Sequence, residues 1–85
     1  MSLQVHWTDR ALKDVERLDR PLRHRIVEAV ERFAATERGD MKRLQGDKSG
    51  IFRLRVGEWR VLFSSEAKGE ITVRRVLPRS GAYRP

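Results

Sequence analysis

The sequence predicts a small α+β domain spanning residues 1–85. Its elements run β-α-α-β-β-β, with an antiparallel-rich sheet and an N-terminal helical hairpin packed on one face. Three observations carry this expectation. Ile51–Phe63, IFRLRVGEWRVLF, alternates apolar and polar residues on either side of Gly57-Glu58, the period-two signature of a β-hairpin. Residues 9–18 and 22–33 instead place apolar side chains at helical spacing. A further apolar alternation starts at Ile71 and Val73 after a polar turn.

Leu3, Val5 and Trp7 alternate with Ser2, Gln4 and His6, giving a short first strand. Thr8 is placed to cap a helix over Asp9–Leu18, whose inner face is Ala11, Leu12, Val15 and Leu18. Pro21 belongs in the first turn of a second helix, and Leu22, Ile26, Ala29, Val30 and Phe33 form its stripe. Gly39 is the expected stop. Asp40–Gly50 is polar, with Met41 and Leu44 as anchors, and leads into the hairpin.

Within the hairpin, Gly57 suits the first loop position of a type II′ turn, where φ is positive. That two-residue loop sets Val56 opposite Trp59, Arg55 opposite Arg60, Leu54 opposite Val61 and Phe52 opposite Phe63. One face is apolar, and the other sets two cations directly across from each other. A five-residue loop, Ser65–Gly69, then places Ile71 opposite Phe63, Val73 opposite Val61 and Arg74 across from Arg60. Pro78 has no N–H to give a ladder, so regular pairing should end near it. Arg79–Pro85 reads as an irregular tail.

Nineteen Lys and Arg against twelve Asp and Glu leave a net charge of +7, which points to a polyanionic partner. The chain has no cysteine, so neither disulfides nor thiolate chemistry is available. No apolar run approaches the roughly 20 residues of a membrane span, and Met1–Thr8 lacks the apolar core of a signal peptide. The expectation is a cytoplasmic protein with no membrane partner.

His6 and His24 are too few and too far apart for a zinc site, and there is no GxxxxGK[ST] or GxGxxG run. No cofactor or metal is therefore expected. What remains is the arginine face. Arginine presents a planar donor fork that matches phosphate oxygens two at a time. Like charges directly opposite on a sheet cost up to about 1 kcal/mol, so Arg55 facing Arg60 calls for an anion; the alternative is a basic strip that keeps the sheet soluble. Tyr83 is the chain's only tyrosine. It is either an anchor for the tail, a platform for a base, or a general base whose pKa nearby cations would lower from about 10.

The sequence resembles the RelE/ParE superfamily of small toxins from bacterial toxin–antitoxin pairs. The likeness is carried by Lys42-Arg43-Leu44-Gln45-Gly46, by the run Arg53–Phe63, and by Arg79-Ser80-Gly81-Ala82-Tyr83. They resemble the family's basic-Leu-polar-Gly run, its YRLRVGDYRVIY strand pair and its terminal GHRxxxY. Leu77-Pro78 stands where that last motif has Gly-His, and Gln45 where some members have a basic residue.

The resemblance implies a sheet with two N-terminal helices packed on it. It also implies, for the RelE-like branch, a ribosome-dependent endonuclease that cleaves mRNA by attack of a ribose 2′-OH on the adjacent phosphate, without a metal. Arg60, Arg79 and Tyr83 match the catalytic positions, while Arg53, Arg55, Arg74, Lys42 and Arg43 are expected to hold RNA phosphates. Arg79, as a guanidinium, is a better hydrogen-bond donor than proton donor. The implied partners are a cognate antitoxin, the ribosome and mRNA, with the free toxin monomeric and the antitoxin complex a hetero-oligomer. Two other readings stand beside this one: a ParE-like inhibitor of DNA gyrase without a nuclease site, and a basic binding module that has lost toxicity.

Overall fold

A computed structural model of the chain describes residues 2–43 and 50–79. Strand β1 (Gln4–Trp7) half-buries Val5 and Trp7 and leaves Gln4 and His6 exposed. Thr8 then turns the chain out of the sheet. Its backbone is extended and its hydroxyl accepts a bond from the Ala11 N–H at 3.1 Å, capping helix α1 (Asp9–Glu16). Asp19 does the same for α2 (Arg20–Thr36), accepting from the Leu22 N–H at 3.1 Å, with Pro21 in the first turn.

Helix α2 ends before the predicted stop. Glu37, not Gly39, takes the left-handed conformation (φ 56°), and its N–H bonds the Phe33 carbonyl at 2.6 Å. Gly39 serves a different purpose. A Cβ there would lie 3.1 Å from Leu54 Cδ1 and 3.6 Å from Phe33 Cδ1, so its missing side chain lets the backbone cross close over the core.

Beyond it come β2 (Met41–Arg43), β3 (Ile51–Val56), β4 (Trp59–Ser64) and β5 (Glu70–Pro78), in a sheet ordered β1-β5-β4-β3-β2. Neighbours are antiparallel except β1 and β5, which are parallel. The architecture is α+β as expected, with one strand more than the sequence reading counted. Strand β2 has three residues, too short to show alternation. It pairs Met41 with Leu54, Lys42 with Arg53 and Arg43 with Phe52.

The β3–β4 hairpin has the register read from its sequence, Arg55 opposite Arg60 and Phe52 opposite Phe63 included. Gly57 carries the positive φ of 60° at the first loop position. The β4–β5 register differs from the expectation. Ser64 pairs with Thr72 and Phe63 with Val73, then a bulge between Leu62 and Phe63 shifts the ladder, so that Leu62 meets Arg75 and Arg60 meets Leu77. Arg74 is the extra residue, and it stands at the bulge instead of across from Arg60. The bulge reconciles two demands that strict alternation cannot meet together: Val73 and Val76, three residues apart, are both buried in the core.

That core lies between the helices and one sheet face. Ile26, Val30 and Phe33 of α2 meet Leu54, Val61 and Phe63, and Ala11 and Val15 of α1 join them. The Phe63 ring lies 5.3 Å from Phe33 and 5.5 Å from Phe52, in tilted and stacked pairs.

Helix α1 packs on β5 and also closes an edge. Strand β1 runs beside only the first half of β5, which leaves later backbone groups of β5 to be satisfied. The Thr8 N–H donates to the Val73 carbonyl at 3.0 Å, and the Thr8 hydroxyl donates to the Arg74 carbonyl at 3.1 Å. Asp14 then accepts from the Val76 N–H at 2.9 Å and from Arg75 Nε and a terminal nitrogen at 2.8 and 3.2 Å. Burial alone would raise the Asp14 carboxyl. The bonds from Arg75 and Val76, with the charges of Arg75 and Arg17, outweigh it and hold the group below its ordinary 3.8.

Because the folded pKa is depressed, this carboxylate stabilises the fold above pH 3.8 and the contribution is lost as pH falls through the folded value. Asp14→Ala should cost about 2 kcal/mol at neutral pH, the loss of charge-assisted hydrogen bonds. The cost should shrink in acid, where the wild-type carboxyl is itself protonated. Urea denaturation of both proteins at neutral and acid pH measures the difference.

Candidate functional site

Register arranges the sheet face turned away from the helices in two rows running across the strands. The first is Lys42, Arg53, Leu62 and Arg75, and the second is Arg55, Arg60 and Leu77. Each alternates along its strand with core residues such as Leu54, Val61 and Val76, which fixes its direction. Five cations on neighbouring strands of one antiparallel sheet make a rigid basic surface.

Its members are not equally free. Arg53 is buried at 9% exposure, and Leu62 and Ser64 on the same face are buried too. The face expected to lie open is thus partly enclosed around Arg53, while the Arg55 side chain stays 43% exposed. Asp40, just before β2, stands beside both. Its carboxylate lies 3.8 Å from the Arg53 guanidinium and 3.8 Å from Arg55 Nε, and its carbonyl accepts the Arg55 N–H at 2.9 Å. These are long contacts to a half-exposed carboxylate, so they offset the Arg55–Arg60 repulsion only in part.

Arg60 has no such relief at Nε, which is buried and has no hydrogen-bond partner among the described residues. A buried donor left unmade costs about 1–3 kcal/mol, more when charged. Arg79 follows Pro78, the register partner of Trp59, so it stands at the hairpin end of the sheet, beyond Leu77 and Arg60. Its N–H donates to the Glu58 carbonyl at 2.8 Å, which ties the end of β5 to the β3–β4 turn, and its side chain is exposed.

The remaining expected site residues separate from this group. Arg74 is a correction: the bulge carries it towards the far end of β4, where its Nε donates to Ser64 Oγ at 2.8 Å and its guanidinium pairs with Glu66. Arg43 is in register with Phe52, one position out of phase with the Lys42–Arg53 row. Tyr83 lies outside the described residues. Arg75, which the sequence reading passed over, shares the first row but is committed to Asp14. Asp40 was also missed. Its one sequence signal is an acid placed directly before the basic Met41–Arg43 stretch.

A second basic concavity, of about 370 Å³, lies where α2 meets the end of β3. Arg25, Arg32, Arg38 and Arg55 line it with Glu28 and Asp40. Positive potential therefore reaches around the β3 side of the molecule.

A helical hairpin on one face of a small mixed sheet is also the fold of chains in solved RelBE and ParDE toxin–antitoxin complexes. The toxin–antitoxin complex RelBE2 from Mycobacterium tuberculosis contains a chain 23% identical to this one. The match covers 93% of this chain and 100% of that one, with a TM-score of 0.80. A chain of the archaeal RelE–RelB complex from Pyrococcus horikoshii OT3 is 24% identical over 96% and 100%, with a TM-score of 0.75. One from the chromosomal ParDE system of P. aeruginosa is 18% identical over 91% and 96%, with a TM-score of 0.69. At these identities the likeness is one of fold. No curated protein sequence matches the chain. The family described as ParE toxin of type II toxin–antitoxin system, parDE, matches residues 5–83, and the chain belongs to it. It is a type II toxin of the RelE/ParE superfamily.

If the Arg55–Arg60 contact and the unsatisfied Arg60 Nε weaken the fold, Arg60→Met should raise stability by about 1 kcal/mol. Adding inorganic phosphate should raise the thermal midpoint of the wild type more than that of the variant. Thermal melts of the two proteins with and without phosphate, at matched ionic strength, check both outcomes.

Proposed function

We propose that this toxin is a RelE-like, ribosome-dependent mRNA endonuclease that arrests translation, and that a cognate antitoxin holds it inactive. The observation that carries the reading is Arg60, a sheet arginine opposite Arg55 whose buried Nε has no hydrogen-bond partner among the described residues. No carboxylate among the described residues neutralises the Arg60 guanidinium, and a cation held beside another in this way suits an anion that arrives and leaves.

The reaction needs only the substrate's own nucleophile and protein groups. The ribose 2′-oxygen attacks the adjacent phosphorus, its proton passes to Tyr83, and the bond from phosphorus to the 5′-oxygen breaks. The products are a 2′,3′-cyclic phosphate and a 5′-OH, the leaving oxygen taking a proton from solvent. Arg60 stabilises charge on the equatorial oxygens and Arg79 charge on the leaving oxygen, both as fixed donors. Arg55, Arg53 and Lys42 hold the flanking phosphates. Tyr83 enters through the sequence match alone. Arg43 and Arg74 contribute little here, the first being out of phase with the row and the second paired with Glu66.

The antitoxin is the natural occupant of the basic surface when the toxin is silent. The complexes named above pair a toxin of this fold with its antitoxin, and an acidic antitoxin segment over Arg55 and Arg60 would block RNA by occupying its charges. The free toxin is then a monomer and the silent form a hetero-oligomer, both in the cytoplasm with the ribosome. No helix among the described residues is long and apolar enough to cross a membrane.

A second reading, inhibition of DNA gyrase, is favoured by one finding: the matching family is described as ParE toxin. The two readings differ in what the arginines do, catalysis in one and docking in the other.

Under the nuclease reading, Arg60→Ala and Tyr83→Phe should each lower mRNA cleavage by roughly 100-fold, the size expected for losing one transition-state group, and relieve growth arrest. Toeprinting of ribosome-bound mRNA measures the cleavage, and circular dichroism checks the fold. Intact mRNA together with a loss of supercoiling after induction assigns the gyrase role instead. Normal growth with neither effect marks an inactive binding module.

A further inference from the structure

The hairpin end of the sheet holds a concavity of about 450 Å³, lined by Glu58, Trp59, Pro78 and Arg79, which shares only Arg79 with the residues assigned above to the phosphate. Trp59 and Pro78 are register partners on the last rung of the β4–β5 ladder, and both are half-buried. Together they form an apolar wall with a large indole in it. Glu58 is exposed in the turn and Arg79 is exposed at the strand end, and the bond from the Arg79 N–H to the Glu58 carbonyl at 2.8 Å holds the two at a fixed spacing. An aromatic wall flanked by one acceptor-only group and one donor-only group is not a phosphate site, because Glu58 repels phosphate. It fits a flat, polar-edged ring.

Arg60 directly follows Trp59, and successive strand residues point to opposite faces. A strand of nucleic acid draped over the hairpin end therefore sets a phosphate beside Arg60 and the adjoining base beside Trp59. We propose that Glu58, Trp59, Pro78 and Arg79 form a pocket for one unpaired RNA base next to the phosphate at Arg60. Trp59 stacks on the base and Glu58 reads its edge. A carboxylate can only accept hydrogen bonds, so the pocket prefers bases that carry an exocyclic amino group over uracil, whose one edge donor, N3–H, lies between two carbonyl oxygens that repel the carboxylate. The pocket rests on the nuclease reading only in taking RNA as the ligand.

The test uses the full chain and short fluorescein-labelled 2′-O-methyl RNAs, which cannot be cleaved, followed by anisotropy at low ionic strength. The series comprises oligoadenylate, oligouridylate and an abasic strand of equal length. Two variants separate stacking from packing: Trp59→Leu keeps apolar bulk against the core, and Trp59→Phe keeps a ring. For oligoadenylate, Trp59→Leu should bind roughly 5- to 100-fold more weakly than wild type, and Trp59→Phe should recover most of the loss. The abasic strand should bind all three proteins alike, which also shows the basic face to be intact. Wild type should favour oligoadenylate over oligouridylate by roughly tenfold, and Glu58→Gln should narrow that gap.

Equal binding of oligoadenylate by wild type and Trp59→Leu overturns the pocket, as does equal binding of the base-bearing and abasic strands by wild type, or no binding at all. The nuclease reading is judged separately by toeprinting. Base-dependent binding with uncut mRNA sinks that reading and leaves the pocket standing; cut mRNA with base-independent binding does the reverse.

Discussion

The carboxylate of Asp14 fixes more of this molecule than any other single group. Strand β1 is four residues long and β5 is nine, so a parallel pairing between them necessarily leaves the second half of β5 with unmet donors and acceptors on one side. Unpaired backbone groups beside a core are expensive, and the chain meets them with a helix end instead of a longer strand. Thr8 takes the carbonyl of Arg74, and Asp14 takes the N–H of Val76 and the fork of Arg75. With β5 held there, its register against β4 is held as well, and that register sets Leu77 beside Arg60 and Arg79 at the hairpin turn. The site at one end of the sheet is positioned by a contact on the first helix.

Two electrostatic solutions stand side by side on this sheet. Arg75 and Arg74 have carboxylate partners, Asp14 and Glu66, and serve the fold. Arg55 has a long contact to Asp40, and Arg60 has none at its buried Nε among the described residues. The gradient runs from fully paired at the β5 side to unsatisfied at the β3–β4 hairpin. A protein optimised only for stability would place apolar residues where Arg55 and Arg60 meet. The retained mismatch is a local cost of the kind that functional sites carry.

Much of this was legible in the sequence wherever one physical signal dominated. Period-two alternation about Gly57-Glu58 fixed the hairpin, so Arg55 opposite Arg60 followed from counting. Capping chemistry located the first helix start at Thr8, and Pro21 marked the first turn of the second. Reading failed where two signals competed or none existed. Arg74 was misplaced because alternation assumes an unbroken ladder, and a bulge is chosen by tertiary packing of Val73 and Val76. Strand β2 was missed because three residues have no period. Glu37 was passed over because glycine is the usual left-handed stop, and here a hydrogen bond to Phe33 holds a non-glycine residue in its place. The partners of Asp14 and Asp40 lie across the fold and leave no trace in local pattern. Tyr83 falls outside the described residues, so its part rests on sequence alone.

The bulge at Arg74 divides the longest strand into two halves that answer to different demands. Before it, Ile71 and Val73 belong to the core, and their neighbour Thr72 pairs with the end of β4. After it, the alternation restarts with its parity inverted, and Leu77 and Arg79 lead towards the basic end of the sheet. An insertion that resets parity uncouples these halves. A change in the outward residues after the bulge does not oblige a compensating change in the inward residues before it. The chain can thus vary its basic end while keeping its folding end constant, a form of modularity achieved inside one nine-residue strand.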